Sequence, residues 1–251
     1  MRNLVVLLVV GGLASCSSMP KKDEERIESA QEYYREGLRY LKEAQYKTAA
    51  ESFDKVLFQH PGDPITPYAE LMSAYSLFLD RQFADAVDVL DFFIKLHPAH
   101  QDVAYAYYLK ALCSYMQISE VDCDQEMTHK AFYALMDVIN RFPGTPYAKS
   151  CQLKVTLVND QLAGQEMNVG RFYLKKQNPI AAINRFDEVL RRYDTTVYAP
   201  EALYRSMEGY AMLGLHKEVK AYAQVLSHNH PQNAWNQKAQ ELLMKLGRVD
   251  K

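Results

Sequence analysis

Ser29 to Pro61 reads SAQEYYREGLRYLKEAQYKTAAESFDKVLFQHP, and the spacing of its small and apolar residues decides the fold. Gly37 and Tyr40 sit on a first helix, Tyr46 follows a tight turn, and Ala49, Phe53 and Val56 mark a second helix that Pro61 stops. Steps of four and three residues place these side chains on one helical face. A small residue at Gly37 lets the second helix come close, and Ala49 is the small residue expected to face it. Tyr40 and Phe53 fill the remaining space.

The same phrase recurs. Its residue types and spacing resemble the tetratricopeptide repeat, a helical hairpin with a period of roughly 34 residues. One such hairpin cannot bury its apolar face alone, so several must stack. A second copy has helices over about Pro67–Asp80 and Phe83–Leu96, with Ala74, Ala86 and Leu90 at the packing positions and Pro98 at its end. The third is interrupted. Its helices span about Asp102–Gln117 and Met127–Arg141, and the turn between them is replaced by Ile118 to Glu126, which holds Asp122, Cys123, Asp124 and Gln125. Ala131, Leu135 and Val138 keep the pattern, and Pro143 ends it. An insertion of this kind maps to one face of a stack; it reads either as a binding face or as a tolerated surface loop.

Tyr147 to Lys176 reads as one long or slightly kinked helix, with Leu153, Leu157, Leu162, Met167, Val169 and Phe172 along it. The fourth repeat uses its later part. Gly170 and Tyr173 match Gly37 and Tyr40, and Ala182, Phe186 and Val189 match Ala49, Phe53 and Val56, with Ala182 expected opposite Gly170. Asp194 stands where proline is expected. The fifth repeat, about Ala199–Pro231, carries Val219, Ala223 and Leu226, but Met207 replaces the small residue of its first helix, which should therefore pack differently. Trp235 to Leu246 reads as a capping helix. The expected fold is all-α, a right-handed superhelix of about five helical hairpins with a terminal cap. It divides into an N-terminal half, 29–143, and a C-terminal half, 144–251.

The amino terminus carries an address. Arg2 precedes an apolar run from Leu4 to Val10, followed by small residues and Leu13-Ala14-Ser15-Cys16. A basic start, a short apolar stretch and small residues at its end describe an export signal. The run is shorter than the roughly 20 residues needed to span a bilayer. The last four residues resemble the bacterial lipoprotein cleavage motif, which implies a signal over 1–15 and a lipid on the sulfur and new amine of Cys16. Ser17 in place of aspartate implies the outer membrane, and residues 16–28 read as a linker.

Composition narrows the function. The 251 residues are 48% hydrophobic and 24% charged, with net charge −2, which gives no electrostatic case for nucleic acid. No phosphate-binding loop, paired metal histidines or nucleophile elbow is present, so neither an enzyme nor a cofactor or metal is indicated. His228 and His230 lie two apart, not one helical turn apart. Cys113, Cys123 and Cys151 remain beside Cys16; an odd number leaves a free thiol or an intermolecular bridge. Cys113 and Cys151 read as small core residues.

Taken together, the chain resembles the BamD family, the competence-type tetratricopeptide lipoproteins of the outer-membrane β-barrel assembly machine. The resemblance rests on Leu13 to Cys16, Pro67-Tyr68, His97-Pro98-Ala99-His100, Tyr105, the 122–125 insertion, Arg141-Phe142-Pro143, Tyr147-Ala148, Asn159 to Glu166, Gly170 to Tyr173 and Ala181 to Phe186. Cys123 departs from the arginine common in that family's insertion. The resemblance implies a lipid-anchored scaffold on the periplasmic face. It also implies contact with the last POTRA domain of BamA through the C-terminal half, where Asn184 and Arg185 are the residues expected to serve. Other lipoproteins of the assembly machine are further implied partners. An N-terminal groove would receive unfolded outer-membrane proteins, and Tyr68, Tyr75 and Tyr108 are its candidate walls, although each tyrosine singly reads as packing. Two other classes stay open on the sequence: an envelope lipoprotein organising peptidoglycan or division proteins, and a lytic enzyme on a helical superhelix, for which no residues are left to form a catalytic domain.

Overall fold

The computed structural model describes residues 28–121 and 123–249. The export signal, Cys16, most of the linker and Asp122 lie outside the described residues. The chain forms α1 (Ala30–Lys42), α2 (Tyr46–Gln59), α3 (Thr66–Leu79), α4 (Phe83–Leu96), α5 (Val103–Tyr115), α6 (Glu126–Arg141), α7 (Pro146–Lys175), α8 (Pro179–Arg192), α9 (Ala199–Met212), α10 (His216–Asn229) and α11 (Ala234–Val249). No strand occurs among the described residues.

Local chemistry sets the ends. Ser29 and Glu32 form a reciprocal capping box before α1, which satisfies two of the amide donors left free at a helix start. Among the described residues, the turns of four hairpins contain one left-handed residue, two positions before the second helix. These are Ala44, Arg81, Gln177 and Gly214, with φ between 57° and 72°. Only the last is glycine. The second helices all end in one backbone conformation, at His60, His97, Phe142, Tyr193 and His230, with φ from −122° to −135°. Proline follows four of them and disfavours further helix. Tyr193 takes the same shape before Asp194, so the missing proline leaves the corner unchanged.

Packing explains the repeat. Gly37 faces Phe53, and a Cβ on the glycine would lie 2.6 Å from the ring; Gly170 faces Phe186 in the same way at 2.3 Å. The residues opposite the two glycines are thus the phenylalanines and not Ala49 and Ala182, which lie one helical turn earlier and are also fully buried. The partner stands sixteen positions after the small residue. Ala74 and Leu90 repeat this register in the second hairpin. In the fifth, the order of sizes reverses: Met207 and Ala223 share its core. The difference expected for α9 takes this form, and its own close approach moves to Gly209, set against Ile183 of α8.

Each second helix packs against the first helix before it and the one after it. First helices also touch in succession, α1 with α3, α3 with α5, α5 with α7 and α7 with α9, whereas among the described residues no two second helices pack together. The first helices therefore line the inner wall of a curved stack, and the second helices splay along its outside. α7 is one helix of 30 residues. Its early part packs on α5 and α6 and its later part on α8 and α9, so the largest buried cluster runs across residues 143 and 144, from Ala111 and Leu135 to Phe186 and Ala202. Of its apolar residues, Leu162 and Met167 are buried, whereas Leu153, Leu157 and Phe172 face solvent. α11 covers the end of the fifth hairpin through Ala239, Trp235 and Leu242.

Candidate interaction surfaces

The inner wall of the first three hairpins is aromatic. Tyr68, on the first turn of α3, is 38% exposed. Its ring meets His100 edge-on at 5.2 Å, and its hydroxyl accepts a hydrogen bond from Gln101 Nε2 at 3.1 Å. Tyr75 packs on the core of the second hairpin. Tyr108 stacks on Tyr147 at 5.2 Å, and its hydroxyl shares a 3.0 Å hydrogen bond with Ser150. Tyr105 lies among Tyr75, Tyr108 and Tyr147, and burial raises its phenol pKa. The three candidate wall residues thus separate: Tyr68 presents much of its ring, while Tyr75 and Tyr108 join hairpins 2, 3 and 4.

The insertion in the third hairpin is built around one buried side chain. Gln125, 3% exposed, donates through Nε2 to the carbonyls of Glu120, Val121 and Cys123, and accepts from Thr128 Oγ1 at 2.8 Å. Gln161 of α7 donates to the Ser119 carbonyl at 2.8 Å. Val121 and Tyr198 then meet over Gly164, where a Cβ would lie 3.3 Å and 3.1 Å from them. The segment is pinned to α7 with Cys123 and Asp124 outward. Cys113 and Cys151 are buried free thiols, and Cys123 is also free.

On the C-terminal half, Asn184 and Arg185 are both exposed on α8. Arg185 NH1 donates to Glu166 Oε2 at 3.1 Å; the arginine side chain is 46% exposed and the glutamate 19%. Glu166, Tyr173, Ala181, Asn184, Arg185 and Glu188 line a cavity of about 320 Å³ between α7 and α8. One branch of the guanidinium is held and the side chain still reaches solvent, so a planar fork is presented in a set orientation.

Two charged arrangements escaped sequence reading because their members are far apart in the chain. Arg171 grips Glu201 through two hydrogen bonds, at 3.0 and 2.7 Å, and Arg205 adds a third at 3.3 Å. Burial alone would raise the Glu201 carboxyl, but the two guanidiniums outweigh it and hold the group below its usual range. Glu70, on α3, lies 3.2 Å from His97 at the end of α4. Here burial is the larger effect and pushes the Glu70 carboxyl up, against the pull of His97. The only signal for the second pair was a glutamate inside an otherwise apolar run, Ala69-Glu70-Leu71.

Residues 26–226 match the family YfiO, described as outer membrane lipoprotein. The chain is 54% identical over 241 residues to the outer membrane protein assembly factor BamD of Rickettsia prowazekii, covering 96% of this chain and 94% of that one. It is 39% identical to the BamD of Caulobacter vibrioides, covering 96% and 79%. Among solved structures it is similar to the TPR2AB-domain:pHSP90 complex of yeast Sti1, at 12% identity and a TM-score of 0.44, over 87% of this chain and 86% of that one.

Proposed function

The chain belongs to the YfiO family of outer membrane lipoproteins and is similar to BamD assembly factors along nearly its whole length, and from that premise we propose that it is a scaffold for assembling β-barrel proteins into the outer membrane. The observation that carries this is family membership along nearly the whole chain, insertion and fifth hairpin included. The curved inner wall supports it, since such a stack offers an extended surface to a bound chain. Tyr68, with Tyr75 and Tyr108 behind it, serves as the wall on which an unfolded client lies. No helix among the described residues is long and apolar enough to cross a membrane. Attachment is assigned to acyl chains on Cys16, because several chains together give stable anchoring; mass spectrometry of the mature amino terminus, finding no lipid there, would overturn this.

Asn184 and Arg185 form the contact to BamA. Arg185 projects from α8 with one branch fixed by Glu166, so its remaining donors meet a carboxylate on the last POTRA domain. Truncating one member of such a desolvated pair costs roughly 2–5 kcal/mol. Isothermal titration with purified POTRA domains tests the assignment. Arg185→Glu retains its helical circular dichroism and loses binding, and a reversed charge on the partner restores part of it. Unchanged affinity would make Arg185 a solvated surface charge held by Glu166.

A further inference from the structure

A line of contacts runs inward from the exposed ring of Tyr68. Tyr68 meets His100 at 5.2 Å, His100 meets Phe93 at 5.4 Å, and Phe93 meets His97 at 5.2 Å. The line ends where His97 Nε2 approaches Glu70 Oε2 at 3.2 Å. The Glu70 side chain is 5% exposed and that of His97 28%. Although close, the two atoms are not aligned for a hydrogen bond, and neither has another partner. A buried carboxylate without an aligned donor is destabilising.

The groups around the pair are otherwise engaged. From α2, Asp54 accepts a hydrogen bond from Ser73 Oγ at 2.7 Å. At the start of α5, His100 Nδ1 accepts the Asp102 amide at 3.1 Å, with the Asp102 carboxylate 3.8 Å from the same nitrogen. His97 is the charge-bearing side chain that acts on Glu70.

We propose that Glu70 and His97 form a proton-operated latch behind the wall of the groove. When the pair holds a proton between its two facing atoms, a small rotation aligns them into a charge-assisted hydrogen bond. This ties α3 to the corner between α4 and α5, and Phe93 and His100 then fix Tyr68. When the proton is lost, Glu70 is a buried charge facing a neutral ring, and the corner loosens. The raised Glu70 carboxyl agrees in sign: a group with a raised folded pKa stabilises at low pH and loses that contribution as pH rises through the folded value. The consequence for client binding rests on the assignment of Tyr68 to the client groove.

Hydrogen exchange on the full mature chain, corrected for intrinsic rates, tests the latch at pH 5.5 and pH 8. Amides of residues 97–103 exchange about tenfold faster at pH 8 in the parent, and the difference vanishes in Glu70→Gln. Equal pH dependence in parent and variant would overturn the latch. Should Glu70→Gln fail to fold, the ring signals of His97 and Tyr68 in the parent decide: they shift together with pH if the latch exists, and an invariant Tyr68 removes it. Titration with a synthetic client peptide ending in an aromatic residue separates the two readings. Binding that weakens at pH 8 supports both, and equal binding at the two pH values overturns the latch alone. No binding at either pH overturns the groove assignment, and the exchange result then judges the latch.

Discussion

Gly170 of α7 lies so close to the ring of Phe186 on α8 that a β-carbon on the glycine would fall 2.3 Å from Cε1. Phe186 is fully buried, so neither side has room to yield. Gly170→Ala is therefore expected to destabilise the chain by roughly 1–3 kcal/mol, the usual range for overpacking a filled core. Gly37→Ala should behave alike against Phe53. Gly62, with nothing within 4 Å, is the control and should tolerate alanine. Urea denaturation of the three variants checks the order; equal midpoints for Gly170→Ala and Gly62→Ala would contradict the packing described.

The hairpin turns supply a change of opposite sign. Gln177 holds φ at 57°, in a region where a side chain costs about 1–2 kcal/mol. Its side chain is exposed. Gln177→Gly should raise stability by about 0.5–1 kcal/mol, after the larger chain entropy of glycine is set against the relieved strain. Gly214→Ala, at φ 72°, should lower it. Thermal melting of both variants is sufficient: a loss of stability for Gln177→Gly would show that the turn gains nothing from relief at this residue.

Glu201 and Glu70 predict opposite responses to acid. Arg171 and Arg205 lower the carboxyl of Glu201 in the folded state. A lowered folded pKa gives stability that is present above the unfolded value, about 4.3, and is lost as pH falls through the folded value. The advantage of the parent over Glu201→Gln is thus greatest near neutrality and shrinks in acid. For Glu70 the carboxyl is raised, so the parent compares best with Glu70→Gln in acid and worst at alkaline pH. Denaturation midpoints measured from pH 3 to pH 9 distinguish the two slopes. Parallel curves for both variants would refute the assignment.

The hairpins were legible in the sequence because their determinants are local. Gly37 and Phe53, or Gly170 and Phe186, stand at a fixed separation on two consecutive helices, and the pattern repeats. What repetition could not reveal was which side chain meets the glycine, since Ala49 and Phe53 share one face. Nor could it show that Met207 and Ala223 reverse the sizes and still fill a common core. The pairs Arg171–Glu201, Glu166–Arg185 and Glu70–His97 each join separate helices across 19 to 30 positions. No local spacing encodes them; they exist only because the stack brings their helices together. Asn184 and Arg185 were singled out through family resemblance, which marks a position but not the glutamate that orients it.

The unbroken length of α7 has a mechanical consequence. At 1.5 Å per residue, its 30 residues make a beam roughly 45 Å long, packed on the third hairpin over its early part and paired with α8 over its later part. The stack has corners after α2, α4, α6 and α8, where the splayed second helices leave the outer edge free to open. A load on the amino-terminal hairpins is accordingly taken up at the corners after α2, α4 and α6. Beyond Phe142 the unbroken α7 offers no corner to absorb it, so that a rotation near Ala148 is carried along the helix to Gly170 and the hairpin that carries Arg185.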